Sequence, residues 1–187
     1  ASIAAVLQSR IGVGHNIYSE EWDALIILDA CRVDALREVQ HEYGFLIDIE
    51  SRWSRGSTSK EWLEKPFIES YRDEIESTSY ITSNYYSTEL RENNINRLGY
   101  PMAEGEPVGE QVFQTLLRDD VLSASEFGDF ISLFDKSVYE DGNQLHPDVV
   151  TDCAITVGRE DDWDRVIIHY MQPHHPFIQR DQPPRAH

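Results

Sequence analysis

Cysteine is scarce in this sequence. Of its 187 residues only two are cysteines, Cys31 and Cys153. Two thiols are too few for the disulfide framework of a small secreted domain, and they cannot supply the sulfur ligands of a cysteine-based zinc site. Both are therefore interpreted as small apolar residues of the protein interior.

Long hydrophobic runs are also missing. No stretch approaches the roughly 18 apolar residues that a membrane-spanning helix requires. The first seven residues have neither a basic start nor a long apolar centre, so they are typical of a helix and not of a secretory signal. From these absences we expect a cytoplasmic protein without a transmembrane segment.

Positive charge is the third deficiency. The chain has 16 basic residues against 34 acidic ones, which gives a net charge of −18, and only Lys60, Lys65 and Lys136 are lysines. Such a surface repels phosphate backbones, which argues against nucleic acid as a partner. An ordinary solvated surface explains the charge, and so does adaptation to a salt-rich cytoplasm, where counterions screen the self-repulsion. We favour a high-salt organism and expect the fold to loosen as salt is removed.

Strands and helices alternate along the chain. A hydrophobic content of 40% over 187 residues suits a single α/β domain with its own core. The pattern predicts strands at 24–28, 45–49, 78–82, 136–139 and 166–170, and helices at 2–10, 33–43, 85–92, 110–118 and 147–160. We expect Gly44 to end the second helix as a left-handed cap, and residues 179–187 to form an extended tail. The alternation predicts a mostly parallel central sheet flanked by helices.

Asp29 directly follows the first apolar strand. In an open α/β sheet, ligands bind at the carboxyl ends of the strands, so its carboxylate is expected at a functional edge. Considered alone, an aspartate at this position is as well explained by capping of the next helix as by metal binding.

A turn of sequence Gly-Ser-Thr-Ser, residues 56–59, places three hydroxyls at the start of a predicted helix. Ser57 or Thr58 can cap this helix, and Glu61 lies at capping-box spacing from Thr58. A hydroxyl beside a divalent metal can instead act as a nucleophile. Arg55 and Lys60 flank the turn and favour an anionic substrate.

His174 and His175 follow the last predicted strand and lie between two prolines, which stiffen the backbone that presents them. A neutral imidazole can bind a metal, and a protonated one can donate to phosphate or sulfate oxygens. A pair of surface or hydrogen-bonded core histidines is the ordinary alternative.

Taken in order, the three elements resemble the sulfatase-like branch of the alkaline phosphatase superfamily, which includes sulfatases and metal-dependent phosphoglycerol transferases. Residues 26–34 look like its first metal-binding strand, with Asp29 at the ligand position. Residues 56–59 look like its nucleophile turn. Residues 171–177, Met-Gln-Pro-His-His-Pro-Phe, look like its His-x-Pro-aromatic motif.

The resemblance implies a role for each residue. Asp29 and Thr58 would bind a divalent cation (Mn, Mg, Ca or Zn), and Thr58 would attack phosphorus or sulfur, with Ser57 and Ser59 as alternatives. His174 would contact the transferred group. The further substrate contacts would be His175, Arg55 and Lys60.

Two departures from the family pattern shape the expectation. The turn has Lys60 where the family often has proline, and it lacks the cysteine that classical sulfatases modify, which favours phosphoryl transfer. The family's Asp-His metal pair lies beyond the His-x-Pro element. The resemblance therefore implies one sulfatase-like domain over residues 1–187 without its C-terminal portion, and an oligomer or a completing chain as partner.

The leading hypothesis is a metal-dependent hydrolase or transferase that acts on phosphate or sulfate esters through a hydroxyl nucleophile. The alternative is a non-catalytic sulfatase-like domain with an incomplete metal site, which binds a partner or an anionic glycan and is inactive by itself. A small α/β binding module with an accidental resemblance is the third reading.

Overall fold

The computed structural model describes residues 14–56, 58–91, 121–134, 144–160, 162–175 and 177–178. Its strands are β1 (Ala24–Leu28), β2 (Thr78–Thr82), β3 (Asp129–Ser132) and β4 (Arg165–Tyr170). The α-helices are α1 (Val33–Val39), α2 (Ser59–Leu63), α3 (Arg72–Glu76), α4 (Ser87–Arg91) and α5 (Pro147–Glu160). Short 3₁₀ turns lie at Ile17–Ser19, Gln40–Glu42, Glu69–Tyr71 and Ala124–Glu126.

The four strands form one sheet in the order β1-β4-β2-β3, and every pairing is parallel. The register places His169 of β4 beside Ile27 on one side and beside Thr82 on the other. Because all strands run in the same direction, their carboxyl ends share one edge of the sheet. The predicted α/β fold with a parallel central sheet is confirmed.

Apolar side chains cover both faces of the sheet. On one face the rings of Phe67, Tyr80 and Phe127 pack together, with Phe67 and Phe127 edge to face at 4.9 Å between centroids. On the other face, helix α5 packs Val150 and Val157 against the sheet. Burial of these faces is the main source of stability that the described part of the fold offers.

Strand β1 is less well covered than its neighbours. Every residue of β2 is buried, whereas β1 alternates between exposed and half-buried positions, with Ile26 60% and Leu28 38% exposed. Helix α5 contacts β4 and β2, the two central strands. The face of β1 that carries Ile26 and Leu28 therefore remains exposed in the described structure.

Most of the regular elements that fall on described residues were predicted. Strands at 24–28 and 78–82 and the helix at 147–160 have the expected bounds, and β4 begins one residue earlier than expected. The helix predicted over 33–43 is α-helical only to Val39 and continues as a 3₁₀ turn. The prediction of a left-handed cap at Gly44 is wrong, because among the described glycines only Gly14 has a positive φ.

The strand predicted at 45–49 is wrong. No strand pairs with this segment in the described structure, and Phe45 and Ile47 are 76% and 72% exposed. Strand β3 was not predicted. The expected strand at 136–139, the helices at 2–10 and 110–118, and the tail at 179–187 lie outside the described residues.

Both cysteines are partly buried, so they are less enclosed than the sequence suggests. Burial, followed by a nearby acidic residue, raises the pKa of each thiol. The thiols are therefore protonated at neutral pH and poor nucleophiles. Among the described helices, none is both long and apolar enough to cross a membrane.

Candidate functional site

A tight turn presents Asp29 at the carboxyl edge of the sheet. The Asp29 backbone N–H donates to the carbonyl of Tyr170 over 3.1 Å, which extends the pairing of β1 with β4 by one residue. The Cys31 N–H then donates to the carbonyl of Leu28 at the same distance. Between them, Ala30 has φ of 60°, a left-handed conformation that costs a residue with a Cβ atom about 1–2 kcal/mol. The backbone that carries Asp29 is thus fixed on both sides.

The Ser59 hydroxyl contacts the Asp29 carboxylate. Its Oγ lies 3.0 Å from Oδ1 and 2.9 Å from Oδ2 of Asp29. Ser59 is the first residue of α2, and the helix start holds its side chain toward the sheet edge. Its single proton is shared between two carboxylate oxygens, so the oxygen lone pairs remain free to meet another group.

Asn84 holds the same carboxylate from the other side. Its Nδ2 donates to Asp29 Oδ2 over 2.9 Å, while its Oδ1 accepts from the Tyr86 N–H over 2.9 Å. The second bond fixes which end of the amide faces Asp29. Asp29 therefore joins three separate elements, which are β1, the start of α2 and the segment after β2.

Thr58 has a different role in the structure from the one that the resemblance implies. It is the N-cap residue of α2, and its Oγ1 accepts from the Glu61 N–H over 3.2 Å. The capping interpretation of this residue is confirmed. Among the described hydroxyls of the turn, the one that contacts Asp29 belongs to Ser59, and Ser57 lies outside the described residues.

The two basic residues near the turn lie around α2. Arg55 is directed to the far end of this helix, where its Nη1 donates to the carbonyl of Lys65 over 3.4 Å. Lys60 is the second residue of α2 and is partly buried. Their role as substrate contacts stays a prediction.

His174 and His175 lie beyond β4, at the same edge of the sheet as Asp29. The His174 N–H donates to the carbonyl of Met171 over 2.9 Å, and Gln144 Nε2 donates to the carbonyl of His174 over 3.1 Å. The His174 ring turns to its neighbour, with Nδ1 2.6 Å from the carbonyl of His175. The backbone of this turn is well anchored, and the role of its imidazoles stays a prediction.

Two buried residues near the site were not predicted. They are His169, which is only 2% exposed, and Tyr80. The Nδ1 atom of His169 lies 2.7 Å from the hydroxyl oxygen of Tyr80. Burial lowers the pKa of His169 from 6.5 to about 4, and the charge of Asp29 opposes this shift. The histidine is therefore neutral at ordinary pH. Their signal in the sequence is weak, because a lone tyrosine or histidine within a strand is an ordinary core residue once it is hydrogen-bonded.

Two of the described residues, Asp29 and Ser59, could hold a divalent cation. Asp29 and Ser59 offer the hard oxygen ligands that Mg²⁺, Mn²⁺ and Ca²⁺ prefer, whereas the Asn84 oxygen is occupied by the Tyr86 N–H. In the described ranges, no group of three or more His, Cys, Asp and Glu side chains surrounds a common point. The chemistry of the two residues fits a divalent cation, and the other ligands would have to come from water, substrate or residues outside those ranges.

No known family model, characterised protein or solved structure matches this chain. The resemblance to sulfatase-like proteins therefore rests on the three sequence motifs.

Proposed function

We propose that this chain is a metal-dependent hydrolase or transferase domain that acts on phosphate or sulfate esters, with Ser59 as its nucleophile. The observation that supports it is the contact of Ser59 Oγ, at 3.0 Å or less, with both oxygens of Asp29. Sequence alone favoured Thr58 for this role. The geometry favours Ser59, because the Thr58 hydroxyl is engaged in capping α2.

Each residue of the site would have a separate role in the reaction. Asp29 orients the Ser59 hydroxyl and can take its proton while the serine oxygen bonds to phosphorus or sulfur and the ester oxygen leaves. Asn84 donates an N–H to Asp29 Oδ2 and so fixes the orientation of the carboxylate. A divalent cation bound to Asp29 would lower the pKa of the serine hydroxyl and offset charge on the transferred group. Water then releases the group from Ser59.

A second function is favoured by one observation. The Asp29 carboxylate already accepts hydrogen bonds from Ser59 and Asn84, which is how a purely structural link among three elements is built. In that case the chain is a non-catalytic binding domain for a partner or an anionic glycan. The two functions differ in whether Ser59 ever becomes covalently modified.

The test is turnover of aryl phosphates and aryl sulfates in molar KCl, with Mn²⁺, Mg²⁺, Ca²⁺ or Zn²⁺ supplied separately. Ser59→Ala is expected to lower kcat by about 10³-fold or more, because a nucleophile is lost. Thr58→Ala is expected to lower it by less than about tenfold, through a weaker helix start. Thr88→Ala, which removes an exposed hydroxyl elsewhere, is the matched control.

Mass spectrometry of the enzyme quenched during turnover should find the transferred group on the peptide that contains Ser59. If Ser59→Ala keeps full turnover while Thr58→Ala abolishes it, the nucleophile is Thr58 and our assignment is wrong. A wild-type chain that turns over neither ester with any of the four metals would support the binding domain instead.

A further inference from the structure

Helix α2, which carries Ser59, is only five residues long. A helix of this length is not stable in water by itself, because its nucleation is unfavourable and few hydrogen bonds follow. Its place in the fold therefore depends on the contacts that surround it. Since Ser59 is its first residue, the same contacts decide where the Ser59 hydroxyl lies relative to Asp29.

The side chains of Trp62 and Leu63 fix α2 to the core. Leu63 is 3% exposed and belongs to the apolar cluster that contains Phe67. The Trp62 ring meets the rings of Phe67 and His169 edge to face, each at 6.0 Å between centroids. Both of these partners are almost fully buried, and closely packed interior groups yield little. The body of the helix is thus held against a firm support.

Gly56 contacts α2 where the chain leads into the helix. A Cβ atom at this position would lie 2.6 Å from the Trp62 Cα and 2.9 Å from the Glu61 carbonyl carbon, and closer still to the Trp62 nitrogen. Carbon atoms that are not bonded pack at about 3.5–4.0 Å. Because the obstructing atoms belong to the backbone, no side-chain rotation can relieve the overlap. Only glycine fits at this position.

A methyl group at residue 56 would displace Ser59. The Trp62 N–H donates to the carbonyl of Thr58 over 2.8 Å and so closes the first turn of α2. That carbonyl belongs to the peptide unit that joins Thr58 to Ser59. To relieve the overlap, the two backbone segments must separate by about 1 Å. The hydrogen bonds from Ser59 Oγ to Asp29, at 2.9 and 3.0 Å, do not survive a displacement of that size.

We infer that Gly56 is a positioning residue for the Ser59 hydroxyl, and that Trp62 is its counterpart on the core side of α2. Gly56 fixes the entry of the chain into the helix, and Trp62 fixes the helix to the core. The effect on turnover rests on the proposed function. The effect on the contact between Ser59 and Asp29 does not, and it can be measured in a chain that catalyses nothing.

The test measures the coupling between Ser59 and Asp29 in different backgrounds. A double-mutant cycle of Ser59→Ala and Asp29→Ala, followed by chemical unfolding in molar KCl, isolates their interaction. In the wild-type background, the unfolding equilibrium constant of the double variant should differ at least about fivefold from the product of the single effects, because a hydrogen bond to a carboxylate is lost. In the Gly56→Ala background, the single effects should multiply within about twofold.

Gly44→Ala is the matched control. A Cβ atom on Gly44 would have no neighbour within 4 Å among the described residues, and this glycine does not have a positive φ. The fivefold coupling should therefore persist in Gly44→Ala. The comparison separates positioning from a general loss of stability, which lowers the free energy of unfolding without removing the coupling between two particular side chains.

Trp62→Phe tests the other contact, and it replaces Gly56→Ala if that variant does not fold. A phenylalanine ring is smaller and cannot reach both Phe67 and His169, so the coupling should fall to about twofold or less. Trp22→Phe is the control, because Trp22 is another partly buried tryptophan packed against the same core cluster. It should keep the wild-type coupling.

Kinetics give a further readout in an active enzyme. Gly56→Ala should lower kcat by about tenfold or more with KM unchanged, since a displaced nucleophile affects the reacting atoms more than substrate binding. Gly44→Ala should leave both constants unchanged.

The outcomes separate this inference from the proposed function. A folded Gly56→Ala or Trp62→Phe variant that keeps the wild-type coupling overturns the assignment of that residue, whatever the turnover. A wild-type chain in which Ser59 and Asp29 are not coupled overturns both assignments. If the coupling is present in the wild type and lost in the two variants while the wild-type chain turns over no ester, positioning stands and the proposed function fails.

Discussion

The two edges of the sheet use carboxylates in opposite ways. At the carboxyl edge, Asp29 is held by side chains 30 and 55 residues away in the sequence, Ser59 and Asn84. At the amino edge lies a cavity of about 640 Å³, lined by Glu21, Trp22, Asp23, Asp73, Glu74, Ser77, Asp164 and Arg165. Five of these eight residues are acidic. The edge with one organised carboxylate, and not the edge with many, is the better candidate for chemistry.

What distinguishes the edges is organisation. The guanidinium of Arg165 at the amino edge lies over the rings of Tyr18 and Trp22, at 5.8 and 5.4 Å from their centroids. The carboxylates around it gather where the strands begin, in a chain that is acidic nearly everywhere. Many like charges, as at the amino edge, repel one another unless salt screens them. A carboxylate held by hydrogen bonds from distant parts of the sequence, as Asp29 is, has the fixed geometry that a reactive site needs.

Acid should have the largest effect, and it should act near the carboxyl edge, through the buried His169. The pKa of His169 falls from 6.5 to about 4 on folding, so between these pH values the unfolded chain binds a proton that the folded chain does not. The contribution of neutral His169 to the free energy of unfolding is therefore fully present above pH 6.5. It is lost as the pH falls toward 4, by about 3 kcal/mol in total. Unfolding titrations at several pH values should show this slope flattened in His169→Asn. Tyr18→Phe, which changes a buried side chain that gains no proton in this pH range, should leave the slope intact.

Deletion of one carboxylate at each edge gives the next largest difference. Asp29→Ala leaves the Ser59 hydroxyl and the Asn84 amide without their acceptor, and it should lower the free energy of unfolding by about 1–3 kcal/mol. Asp164→Ala at the amino edge should change it by about 0.5 kcal/mol or less. Equal losses of unfolding free energy in the two variants would show that the carboxylates of the two edges do not differ in this way.

The helix start beside Asp29 should respond to its cap. Thr58→Ala removes the acceptor for the Glu61 N–H and is expected to lower the free energy of unfolding by about 1 kcal/mol. Thr58→Ser keeps a hydroxyl and should restore most of the loss in a denaturant titration. If alanine is as stable as threonine here, α2 does not depend on this cap.

Salt should act mainly through the charges at the amino edge. The effect of each charge on stability should be smaller than the three effects described above. Asp23→Asn with Asp164→Asn should raise the melting temperature by a few degrees in dilute KCl, because two repelling charges are removed. In molar KCl the gain should vanish, and the wild-type chain should itself melt higher there. A melting temperature that is indifferent to salt would contradict the expected adaptation to a salt-rich environment.

The fold was predictable where residues that favour strands are continuous. The segments at 24–28 and 166–170 are largely apolar, as strands of a sheet covered on both faces need to be, and the segment at 78–82 carries threonine, tyrosine and isoleucine, which favour strands. Strand β3 was missed because Asp129 and Ser132 bound only two apolar residues. The segment at 45–49 misled because its alternation suits a strand, and whether a partner lies alongside is decided by tertiary structure.

The site was predictable only in part. Asp29 was found because the end of an apolar strand is visible in a sequence. The choice between Thr58 and Ser59 depends on the residue at which α2 begins, since the N-cap turns its hydroxyl to its own helix. No sequence pattern fixes a helix start to one residue. Asn84 and His169 depend on the pairing of distant strands, which the sequence leaves open.

Ala30 decides how the edge can receive a ligand. A glycine would adopt φ of 60° freely and would let the turn relax around whatever binds. The methyl group of alanine narrows the turn to one shape, which the hydrogen bonds of Asp29 and Cys31 then enforce. The position of the Asp29 carboxylate is consequently fixed by the backbone. A ligand must approach it from the direction that this turn allows, and any movement on binding has to come from α2 or from the segment after β2, which carry Ser59 and Asn84.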